Sequence, residues 1–240
     1  MCAKVLLMTD DLNIIIKRSA NRKSASLAIY PDQRIVVSVP NRFPDARIEA
    51  LIRDKINWIQ KKLSELRALP QLKTYELKEG ESLPFLGEEL RLTFQVSSKS
   101  SVLRVENALL VSLPMSKAND QLYLKKTLFT WYQQQVLALI RLRVDYFAER
   151  LSVSPKNVSV RTYRNRWGTC KSSGDLIFNW KLVFGSPLVL DYVVIHELSH
   201  LKEFNHSPRF WGWVQSVMPH YRDAQKELKQ LSAQCDSFFK

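Results

Sequence analysis

The sequence predicts an α+β fold in which a β-rich first half precedes a helical second half. Three observations carry this. Runs such as "QRIVVSVP" (33–40) and "LPFLGEELRLTFQV" (83–96) gather β-formers between turn signals. From Asn119 to Leu151 the apolar residues mostly recur at helical steps. In "PLVLDYVVIHELSHLKE" (187–203) the first half has no polar face, which marks a central, buried helix.

The elements follow in order. "NIIIKRS", "SASLAIY" and "QRIVVSVP" read as strands, with "PDQR" as a turn before the last and Pro40 ending it. Pro44 opens a helical pattern in which Ile48, Leu51, Ile52, Ile59, Leu63 and Leu66 form one apolar face, and Pro70 closes it. Residues 83 to 113 return to β character, with hairpin turns at "FLGEEL" and "VENALL". The long helix follows, capped by Asn119 or Asp120 and ended by "SVSP". Its face is drawn by Leu128, Trp131, Tyr132, Gln135, Leu139, Leu142, Tyr146 and Phe147. "NVSVRTY" is a strand, and "SSGD" turns between two short strands in "RNRWGTCKSSGDLIFNWKLVF". Ser186–Pro187 and Ser207–Pro208 each pair a capping serine with a proline at the first helical position. Pro219 starts a last helix that ends near Phe238. The whole reads as one domain, 1–240, with a β-rich part over about 10–118 and a helical core over 119–240.

Composition narrows the class. With 45% hydrophobic and 25% charged residues, the chain has the balance of a globular protein with a real core. No apolar run reaches membrane-spanning length, and the N-terminus lacks a signal-peptide pattern. Three cysteines without paired spacing suggest reduced thiols, so a cytoplasmic location is expected. The net charge of +13 is spread along the chain and not gathered in a tail. It suits nucleic acid or acidic partners, and equally a plain basic surface.

The chemistry concentrates in "IHELSHLKEFNHSPRFW" (195–211), which holds three of the four histidines. His196 and His200 are four apart on a predicted helix, so both imidazoles share one face and can hold one metal ion. Glu197 lies about 100° round from His196, placed to reach a water but not to share the metal. This is the physical content of HExxH: two zinc ligands and a general base. A catalytic zinc needs a third protein ligand and an open fourth position, and His206 fits. For it to turn back, the helix must end between Glu203 and Asn205, with Asn205 able to take the left-handed conformation. The spacing equals that of HExxHxxGxxH, but Glu203 stands where that pattern has Gly, so the turn is made differently. Unpaired, two histidines and a glutamate on so apolar a helix would be costly, and a metal removes the cost. Zinc with Glu197 as base then predicts hydrolysis of peptide bonds by activated water. Asp191, Glu203 and Asp175 are candidates to support the histidines. Tyr163, Arg164, Arg166, His220 and Tyr221 are candidates to stabilise an oxyanion.

With these residues in view, the chain resembles the YgjP-type metal-dependent hydrolases, a zincin-like group related to the SprT and Wss-type proteases. The matching stretches are "RNRWGTC" (164–170), "DYVVIHELSHL" (191–201) and "NHSPRFW" (205–211). The resemblance implies a zincin-like metallopeptidase core, zinc at His196, His200 and His206, and Glu197 as catalytic base. Thr169 stands where the family often has Ser. The SprT-type proteins usually add a cysteine-rich zinc ribbon; Cys235 stands alone here, so crosslink repair is not carried over. "RNRWGTC" is basic and aromatic, as a substrate or nucleic-acid contact would be. The favoured reading is a structural turn, with Trp167 packed in the core and Gly168 allowing a bend. Cys170 reads as a buried small hydrophobe, Met218 as a helix-end core residue, and Trp211 and Trp213 as core. Two other functions stay open: a nucleic-acid-associated zinc protein, including a protease of DNA-bound proteins, and a metal hydrolase of non-peptide amides.

Overall fold

A computed structural model describes residues 12–30, 33–67, 75–164 and 166–234. The chain forms two compact units, Met1–Leu72 and Lys73–Lys240. The division thus falls well before residue 118, where the sequence changes character. Pro31 and Asp32 of the "PDQR" turn, Pro70, Cys235 and the expected helix end near Phe238 lie outside the described residues.

In the first unit, β1 (Ile14–Ser19), β2 (Ser26–Ile29) and β3 (Ile35–Pro40) form a sheet in the order β1-β3-β2. β1 runs parallel to β3 and β2 antiparallel to it. The helical stretch after Pro44 is two helices, α1 (Asp45–Asp54) and α2 (Ile56–Arg67), because Lys55 leaves helical angles at φ −101° and ψ 5°. The apolar face survives the break. Ile48, Ile52, Ile59 and Leu63 are buried in one cluster with Ile35, Val37 and Val39.

The second unit begins with β4 (Ser82–Phe85), β5 (Glu88–Val96), β6 (Ser101–Val105) and β7 (Ala108–Leu113). Both expected hairpins form, and β5 and β7 join them in parallel to give the order β4-β5-β7-β6. The first turn needs positive φ at Leu86 (51°) and Gly87 (81°), conformations glycine takes at no steric cost. The long helix is α3 (Gln121–Leu151), capped by Asp120, whose carboxylate accepts from Tyr123 N at 2.9 Å. Leu128, Trp131, Tyr132 and Phe147 are buried, as expected, whereas Leu142 and Tyr146 face solvent. The helical period drifts round over 31 residues, so one straight apolar stripe is not kept.

A third sheet holds β8 (Asn157–Arg161), β9 (Gly168–Cys170) and β10 (Asp175–Asn179) in the order β8-β10-β9. β8 is parallel and β9 antiparallel to β10. A 3-10 helix, Trp180–Phe184, leads into α4 (Pro187–Ser199), α5 (Pro208–Val217) and α6 (Tyr221–Gln234). α6 starts two residues after Pro219. As its sequence requires, α4 is central: Val189, Leu190, Tyr192, Val193, Val194, Ile195 and Leu198 are all buried, and it touches α3, α5, α6 and β9. No described helix is long and apolar enough to cross a membrane.

Candidate metal centre

α4 starts where its sequence says. Ser186 accepts from Val189 N at 3.4 Å and Pro187 takes the first helical position. It ends earlier than expected, at Ser199, with His200 as its cap. The chain then tightens, with Lys202 N and Glu203 N both bonded to Ser199 O at 3.1 and 3.0 Å. Asn205 does not take the left-handed conformation. Its side-chain oxygen instead accepts from Ser207 N at 2.9 Å, and Ser207 in turn caps α5. A side-chain turn thus replaces the left-handed one, and no glycine is needed.

This corner brings His206 back onto α4. Its Nε2 lies 3.1 Å from Nε2 of His196. The ligand atoms of His196, His200 and His206 all lie within 4.8 Å of one another. Phe210, fully buried, packs on all three imidazoles with ring centroids 4.6 to 4.9 Å away. Trp211 lies along His206 and stacks on Tyr221, which stacks on Tyr192. Trp211 is therefore part of the site wall. Trp213 is not core: it is 37% exposed, with Lys202 Nζ 4.5 Å over its ring.

A hydrogen bond selects the tautomer of His200. His200 Nδ1 lies 3.1 Å from the Glu203 carbonyl, so Nδ1–H donates and Nε2 keeps its lone pair. His196 Nδ1 lies 3.5 Å from the Tyr192 hydroxyl, which accepts from Gln225 Nε2 at 2.9 Å. Glu203 thus supports His200 through its backbone, not its carboxylate. Asp191 and Asp175 are engaged elsewhere. Asp191 takes a bidentate pair from Arg143 at 2.6 and 2.7 Å, clamping α4 to α3. Asp175 accepts from Asn157 and Ser173. Tyr192→Phe is expected to weaken metal binding by about 10-fold, since it frees one side of His196. Competition with a chelating dye measures this, and unchanged affinity would remove Tyr192 from the site.

Electrostatics favour neutral ligands. Burial, reinforced by the neighbouring His200 and His206, lowers His196 to about 3. Burial also lowers His200, against the pull of the Glu203 carbonyl. Neutral imidazole is the form that ligates a metal. Glu197, 6% exposed, is raised to about 7 by burial, with the Cys170 backbone N–H and the Arg166 charge opposing. Of the oxyanion candidates, Arg166 is the one whose charge bears on Glu197. Tyr221 is taken up in the aromatic stack, and Tyr163 lies under Arg166. Cys170 is half-buried, burial and Glu197 push its thiol up to about 11, and it is not a member of the His196, His200 and His206 group.

The donor set suits zinc. Two nitrogens held about 2.0–2.1 Å from a tetrahedral ion stand roughly 3.3 Å apart, close to the 3.1 Å between His196 and His206. Among the described residues the group has three members, the number of protein ligands that a catalytic zinc would take. Three convergent histidines, with a buried carboxylate following His196 on α4, form a centre suited to metal-dependent hydrolysis. The family comparison adds the particular group. A family model described as YgjP-like, metallopeptidase domain, matches residues 23–231, and the chain belongs to this family. The match runs across both compact units. Two solved structures are similar over about two fifths of the chain. One is the metallopeptidase zymogen abylysin of Pyrococcus abyssi, 21% identical, covering 40% of this chain and 95% of that one, TM-score 0.36. The other is the metallopeptidase zymogen jannalysin of Methanocaldococcus jannaschii, 18% identical, covering 38% and 94%, TM-score 0.35. A search of curated proteins finds no match.

Proposed function

We propose that the protein is a zinc-dependent peptidase in which His196, His200 and His206 hold one zinc ion and Glu197 is the general base. The observation that carries this is the convergence of three imidazoles, with a buried carboxylate next to His196 on α4. Bound there, zinc supplies Lewis acidity toward a carbonyl oxygen and lowers the pKa of a water to about 7. Glu197 takes the proton as the water oxygen bonds to the peptide carbon, then hands it to the departing amine as the C–N bond breaks. Burial keeps its carboxyl near neutrality, where accepting and donating are both favourable. No covalent bond to the protein forms. Phe210 and Trp211 keep bulk water from one side of the imidazoles.

The test joins metal analysis to hydrolysis of unstructured polypeptides. One zinc per chain is expected, with hydrolysis abolished by a chelator and restored by zinc. Absence of stoichiometric zinc, or hydrolysis indifferent to the chelator, would sink the reading.

A further inference from the structure

Gly168 opens β9, paired with Phe178 of β10. It has an ordinary negative-side backbone: the glycines with positive φ are Gly80, Gly87 and Gly174. So backbone freedom does not explain it. Space does. A Cβ built on Gly168 would lie 2.4 Å from Glu197 Oε1, 2.6 Å from Cγ and 2.7 Å from Cδ. No side chain fits unless Glu197 moves. The bare backbone of residue 168 is therefore one wall of the slot that holds the carboxylate.

That wall is held from behind. Asn179, at the end of β10, is 3% exposed. Its Nδ2 donates to the Tyr163 and Arg166 carbonyls, both at 3.0 Å, and its backbone N donates to Trp167 O at 2.8 Å. Its Oδ1 accepts from Lys181 N at 3.3 Å. One buried amide thus ties down the loop that leads directly into Gly168. The Trp167 indole adds a tether to Ser232 on α6 at 2.8 Å.

We propose that Asn179 is a positioning residue for Glu197: it fixes the loop that sets Gly168 against the Glu197 side chain, so the carboxylate keeps one orientation. This rests on the peptidase reading. A displacement of the order of 1 Å at a reacting group costs roughly 100-fold in rate.

The test uses Asn179→Ala and Gly168→Ala in the zinc-loaded full chain. Each is expected to lower kcat by about 100-fold, with KM within about 2-fold of wild type and zinc content unchanged. A merely structural role would take zinc content down with kcat and raise KM. A folded, zinc-loaded Asn179→Ala with wild-type kcat would overturn the proposal, as would a kcat loss matched by zinc loss. If Asn179→Ala does not fold, Gly168→Ala decides by the same measures. A second readout needs no activity. Gly168→Ala is expected to lower Tm in the wild-type background and much less in Glu197→Ala, because removing the carboxylate removes the collision. Equal shifts in both backgrounds would overturn the contact on which the proposal stands. If wild type shows no Glu197-dependent hydrolysis, the peptidase reading has failed, and the Tm cycle still judges the wall.

Discussion

Glu197→Gln is expected to bind zinc as wild type does and to lower kcat by about 10²–10⁴-fold, the usual worth of a positioned general base. The substitution is close to isosteric, so the slot beside Gly168 stays filled. Gln is neutral and takes no proton. The three imidazoles are untouched, since Glu197 is not a member of the ligand group. Burial already disfavours the charged carboxylate, so Gln costs the fold little. Steady-state kinetics with metal analysis on the same sample checks both halves. Hydrolysis at the wild-type rate would remove Glu197 as base. Loss of zinc would mean that the carboxylate belongs to the metal's own shell.

The second large effect is on metal. His196→Ala is expected to abolish stoichiometric zinc and with it the stabilisation that zinc confers. Zinc at about 100-fold excess over its Kd stabilises a protein by roughly 2.7 kcal/mol, and the variant should lose nearly all of that. His196 is the natural choice: it stands within α4, and its Nε2 lies 3.1 Å from that of His206. Thermal unfolding with and without added zinc makes the measurement. His206→Ala should act in the same direction, but less, because His206 is exposed at the corner and leaves the helical pair intact. A zinc-dependent rise in Tm as large in His196→Ala as in wild type would place the metal elsewhere.

Much of the site was legible because its signals are local. His196 and His200 stand one turn apart by helix geometry alone, and Ser186–Pro187 and Ser207–Pro208 mark helix starts that the structure keeps. The return of His206 was also foreseeable, though not its means. Backbone preference allows Asn205 the left-handed conformation, yet its side chain has a competing use in bonding Ser207 N. Asp191 illustrates the opposite case. The sequence offers it as a candidate to support a histidine, whereas Arg143, forty-eight residues upstream, claims both its oxygens. In the fold, the strands and the long helix were readable from period and turn residues. The division at Leu72 was not, because compactness depends on which sheet packs with which helix.

"RNRWGTC" sharpens the point. Read along the chain, its glycine suggests a bend, and its basic and aromatic residues suggest either a surface or a contact. In three dimensions Gly168 is an absence of side chain beside Glu197, and Asn179, at the strand end in "LIFNW", bonds the Tyr163 and Arg166 carbonyls just before it. By itself the sequence determined which histidines and which glutamate are the candidates, since spacing on one regular element puts His196 and Glu197 on one helix with His200 at its end. Only the tertiary structure decided the slot beside Gly168 that holds Glu197 and the aromatic wall in which Trp211 stacks on Tyr221 and Tyr221 on Tyr192. Those depend on contacts between residues far apart in the chain, and a one-dimensional period carries no information about which distant backbone will stand against a given side chain.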